Sequence, residues 1–143
     1  MLLSLCWLLV NPSTMVGQGN VVGQGKLPPN SSTLGSFWQT FKTAVVSGNQ
    51  ETVASLSQFP IGMSYGIKSI HSKTELYQRY REVFKQQSDA AQCFTKKQPV
   101  VDRANQRRFS VACPDKAGNE VVVYEFERTR TGWKFVRLDN TNE

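Results

Sequence analysis

The stretch from Gln92 to Asn140 constrains the fold more than any other part of the chain. It is a series of runs in which apolar and polar residues alternate, separated by turn residues. Val121 to Arg128 is the clearest run: Val122, Tyr124 and Phe126 fall on one face, while Val121 and Val123 begin the other, which continues as Glu125 and Glu127. Residues 107–113 alternate likewise, with Phe109, Val111 and Cys113 together, and Trp133 to Leu138 is a third such run. Asp115-Lys116-Ala117-Gly118-Asn119 and Thr129-Arg130-Thr131-Gly132 supply the turns, each with a late Gly where a bulged hairpin needs a positive φ. A further strand is expected from about Ala91 to Val101, interrupted at Pro99, with Asp102-Arg103-Ala104-Asn105 turning the chain back.

Upstream the apolar spacing becomes helical. From Leu34 to Ser47, Phe37, Phe41, Ala44 and Val45 share a face with Trp38 on its flank, and Gly48 closes the helix. Asn49 caps a short helix from Gln50 to about Ser57, which Phe59-Pro60 ends. Gly62 to Ile67 reads as a short extended segment. Ser72-Lys73-Thr74-Glu75 is a capping box opening a third helix, whose buried stripe is Leu76, Tyr80, Val83 and Phe84. The expected class is α+β, with three N-terminal helices packed on a curved antiparallel sheet.

Before these elements, Met1 to Val10 is almost wholly apolar and Asn11-Pro12 breaks it. A helical span of a bilayer takes ~20 residues, so the run reads instead as a secretory leader over 1–19, without a basic residue ahead of it. Removal is expected between Ser13 and Lys26, and secretion or a periplasmic location follows. Residues 20–33 are a Gly/Pro-rich linker, and 34–143 form one domain. The formal charge of +6 permits attraction to anionic surfaces without demanding nucleic acid, and no stable membrane span is expected. Three Cys and one His exclude most metal clusters built from those ligands, and no cofactor is implied. With the leader gone, Cys93 and Cys113 are left. The turn near Arg103 and Ala104 brings their two strands together, so a disulfide is expected; two buried free thiols are the alternative.

Phe37-Trp38-Gln39-Thr40-Phe41 opening the first helix, Phe59-Pro60, Leu76-Tyr77-Gln78-Arg79-Tyr80 and Gly132-Trp133-Lys134-Phe135 together resemble the nuclear transport factor 2-like superfamily, a cystatin-like α+β roll. The resemblance covers about Leu34 to Asn140. It implies a cone between sheet and helices with an aromatic-lined pocket, for which Phe37, Trp38, Phe41, Tyr65, Tyr80, Tyr124 and Phe126 are the candidates. Each of these aromatics, taken singly, reads first as a residue that fills the core. Of the residues able to move a proton, Tyr65, His71, Glu125 and Asp139 are plausible, but His71 precedes a helix cap and Glu125 falls on the face opposite Tyr124. No catalytic set emerges. The expected function is a non-enzymatic domain binding a small apolar ligand or a protein, with a homodimer through the sheet as one partner. An isomerase, lyase or hydrolase using the same pocket is the alternative. The basic residues Lys96, Lys97, Arg103, Arg107 and Arg108, extended by Arg128, Arg130, Lys134 and Arg137, read as solvated hairpin edges, with an anionic envelope polymer left open.

Overall fold

The computed structural model describes residues 33–141. The expected leader, and the expected linker apart from Thr33, lie outside the described residues. Helix α1 spans Leu34–Ser47. Thr33 is its cap, accepting from the Ser36 N–H, and Gly48 ends it at φ 70, a left-handed conformation that Gly adopts without steric cost. The Asn49 side chain accepts from Thr52 N and starts α2, Gln50–Ser55.

This helix is shorter than expected. Strand β1 begins at once, over Ser57–Met63, so Phe59 and Pro60 lie within a strand and not at a helix end. Burial of Ile61 and Met63 under the helices favours the extended form there. Strand β2, Ser69–Ile70, pairs antiparallel with it. Helix α3, Lys73–Arg81, opens on the expected box: Ser72 accepts from Glu75 N, and the Glu75 carboxylate accepts from His71 N. It runs into a wide π turn, Glu82–Gln86.

The strand expected from Ala91 to Val101 is corrected by the structure. Ala90–Lys96 is a helix, α4, capped by the Asp89 carboxylate on Gln92 N at 3.0 Å. Ala90, Cys93 and Phe94 are its buried residues, at helical rather than strand spacing. Only Val100–Val101, beyond Pro99, remains extended, as β3. The three strongest runs are β4 over Arg108–Pro114, β5 over Val121–Thr129 and β6 over Gly132–Asn140.

The six strands form one sheet in the order β2-β1-β6-β5-β4-β3. The sheet is mixed: β1 runs parallel to β6, and the other pairs are antiparallel. The helices cover one face. Phe109, Val111 and Cys113 of β4, Val122, Tyr124 and Phe126 of β5, and Trp133, Phe135 and Leu138 of β6 point into that core. Cys93 and Cys113 are disulfide-bonded, with Cα atoms 5.8 Å apart. The expected pair is therefore joined, but the bond ties α4 to β4 and does not bridge two strands.

Candidate functional site

The seven candidate pocket residues meet as packing partners. Phe37 and Phe41 of α1 lie 5.8 Å apart between ring centroids, and Phe41 meets Phe126 of β5 edge-on at 5.0 Å. Trp38 packs on Phe94, Phe109 and Phe126. Phe84 bridges Tyr80 to Tyr124. Tyr65, in the turn after β1, packs half-buried against this core.

The Tyr124 hydroxyl is consumed inside. It donates to Val83 O at 2.9 Å, which leaves its oxygen to accept from the buried Ser88 hydroxyl, also at 2.9 Å. Burial pushes its ionisation upward, and burial alone pushes that of Tyr80 to about 12, so both stay neutral at ordinary pH. Trp38 Nε1 and the Tyr65 and Tyr80 hydroxyls are buried without a hydrogen-bond partner among the described residues. His71 is exposed, with Nε2 2.9 Å from the Ser69 hydroxyl, as a surface position at a helix cap would have it.

A concavity of about 490 Å³ opens instead on the outer face of the sheet. One rung crosses the strands there, with Val100 opposite Ser110, Ser110 opposite Glu125, Glu125 opposite Arg137, and Arg137 opposite Gly62. The β5–β6 register shifts beside Glu125, so that Val136 and Arg137 both line the outer hollow, one apolar and one charged. Gly62 lets the Arg137 stem lie across its backbone; a Cβ at 62 would meet Arg137 Cγ at 3.2 Å.

The Glu125 carboxyl is half-buried in this hollow and has no ion-pair partner among the described residues. Burial raises its pKa, repulsion from Asp139 adds to the rise, and Arg137 and Arg108 oppose it. Asp139 is shifted the other way, held low mainly by the Ser64 hydroxyl, with Arg137 3.6 Å away. A carboxyl, two guanidiniums and the Ser110 hydroxyl around valine side chains can hold a polar group while burying an apolar one. The alternation of β5 placed Glu125 outside correctly. The register shift that makes the outside concave leaves no mark in the alternation.

The basic residues do not form one patch. Lys96 and Lys97 lie with Asp115 and Lys116 at one end of the sheet, whereas Arg103 and Arg128 line a second hollow of about 490 Å³ at the other, with Thr33, Leu34 and Trp133. Among the described residues no group of three His, Cys, Asp or Glu could hold a metal ion, and no helix is long and apolar enough to cross a membrane.

No protein-family model matches the chain, and no curated protein is significantly similar to it. Solved structures are. A nuclear transport factor 2-like protein with a cystatin-like fold from Novosphingobium aromaticivorans is 14% identical at a TM-score of 0.42, covering 88% of this chain and 90% of its own. A hexachlorocyclohexane dehydrochlorinase is 12% identical at a TM-score of 0.44, covering 76% and 82%. Identity this low speaks to the arrangement of elements and not to activity. With helices on one face of a mixed sheet and an aromatic core between them, the chain has an α+β fold whose arrangement of elements is similar to that of these structures.

Proposed function

We propose that this chain is an exported, non-enzymatic binding domain that engages a protein partner, or a second copy of itself, through the concave outer face of the sheet. The filled cone carries this reading. A small apolar ligand between sheet and helices would have to displace rings already packed at centroid distances such as 4.5 Å for Phe109 and Phe126. The outer hollow needs no such displacement. Val100, Val101 and Val136 give it an apolar centre, and Arg108, Glu125 and Arg137 a polar rim, which is the anatomy of a protein interface. Val100 is 66% and Val101 42% exposed on an edge strand, unusual for valines with no partner. The Cys93–Cys113 bond supports an oxidising compartment.

Native mass spectrometry of the protein purified from its own host tests the proposal. A retained protein or a dimer, lost in Val136→Asp, is the expected result. A monomer carrying a small apolar molecule would return the site to the cone. Export is checked by sequencing the mature N-terminus, where intact Met1 in a soluble cytoplasmic fraction would count against it.

The half-buried Glu125 carboxyl favours one second reading. On it, Glu125 is the proton donor or acceptor of an isomerase, lyase or hydrolase working on the outer face. Turnover abolished by Glu125→Gln, with the fold intact, would replace the binding reading.

A further inference from the structure

The two ends of the sheet differ in charge. At one end, the β3–β4 and β5–β6 turns gather Arg103, Arg107, Arg108, Arg128 and Arg130, against only Asp102 and Glu127. Five cations against two anions leave +3, half the formal +6 of the whole chain. The other end holds Asp89, Asp115, Glu120 and Asp139 beside Lys68, Lys96, Lys97 and Lys116, so its charges balance.

The arginine end is a fixed platform. Asn105 Oδ1 accepts from Arg107 N at 3.0 Å, and Asp102 Oδ1 accepts from Ala104 N at 2.8 Å. Arg128 N donates to Arg107 O at 2.8 Å, and Arg107 Nη2 donates back to Arg128 O at 2.9 Å. Arg108 stands 3.5 Å from Glu127, but no carboxylate among the described residues pairs with Arg103, Arg107, Arg128 or Arg130. Arg103 and Arg128 border the hollow that Trp133 and Leu34 help to line.

We propose that this end binds an acidic polysaccharide, a linear chain bearing repeated uronate carboxylates. Guanidinium forks match carboxylates in geometry as well as charge, and a row of them on an ordered turn meets a repeating anion without having to order itself first. A single strand of nucleic acid would want bases stacked on exposed rings between the cations. The rings at this end are spent inside: Trp133 is 5% and Phe109 2% exposed.

Chromatography on immobilised polygalacturonate, eluted by a salt gradient, tests the proposal with the intact chain. Arg103→Glu/Arg128→Glu is compared with Lys68→Glu/Lys116→Glu, which changes net charge equally at the opposite end; circular dichroism confirms that both fold. The wild type should be retained, the arginine variant should bind about tenfold more weakly, and the lysine variant should elute near the wild type. Equal losses in both variants would reduce the effect to net charge and overturn the proposal. So would tighter retention on single-stranded DNA than on polygalacturonate at the same salt.

Discussion

Trp38 and Glu125 mark the two faces of the sheet at the scale of single residues. Trp38 is closed in by Phe94, Phe109 and Phe126, and truncating a buried aromatic of this size costs about 3–5 kcal/mol. Trp38→Ala should therefore lower Tm sharply, and an unchanged melting curve would mean that the ring is not in the core. Glu125 has the opposite expectation. Its folded pKa is raised, so its contribution is fully present below the unfolded carboxyl pKa and is lost as pH rises through the folded value. At pH 7 the ionised group weakens the fold. Glu125→Gln, which resembles the protonated acid, should raise Tm at neutral pH, with the gain disappearing below about pH 4, where the unfolded carboxyl is also protonated. A loss of stability at pH 7 would show that the carboxylate has a stabilising partner.

Element by element, legibility followed length and repetition. Strands β4, β5 and β6 show period-two alternation over seven to nine residues and were readable to within a residue or two. So were α1, with its glycine stop, and α3, with its capping box. Helix α4 was not. Its seven residues make barely two turns, and adjacent Cys93 and Phe94 read as easily in a strand beside Pro99. The cue that favoured helix was Asp89, a capping residue one position ahead. The disulfide was nonetheless expected between the right cysteines, because removing the leader leaves no other pair. Its placement changes what it does: it staples a short helix, which could not persist alone, to the sheet. Cys93→Ser/Cys113→Ser should cost roughly 3 kcal/mol for a loop of this size, with α4 losing amide protection before the sheet does. Alkylation of both thiols in native protein without reductant would show that the bond does not form.

Across the whole molecule, the aromatic core was legible as a list of residues but not as a filled volume. A stripe of Phe and Tyr predicts burial on one face and says nothing about whether facing rings meet or leave a gap. Here Phe37, Phe41 and Phe126 meet, while the hollow lies on the side where the alternation is polar. The gathering of arginines at one end was hidden for a related reason. Residues near one another in the chain, such as Lys96 and Arg103, go to opposite ends of the sheet, and distant ones, Arg103 and Arg128, come together.

The strand order sets the timetable of folding. Strand β6, the last of the described strands, lies between β1 and β5, so without it the sheet is two disconnected fragments, β2-β1 and β5-β4-β3. A chain growing from the ribosome has made every described helix and five of the described strands before it can join them. Neither fragment covers the aromatic face by itself, and long-range closure must wait for residues 132–140. Such a chain stays open until residues 132–140 have been made, a state that suits the proposed export. Nascent chains arrested after Thr131 should be cut by protease as readily as unfolded ones, and chains extended past Asn140 should resist. Protection already present at Thr131 would mean that the helices and the outer strands fold without their centre.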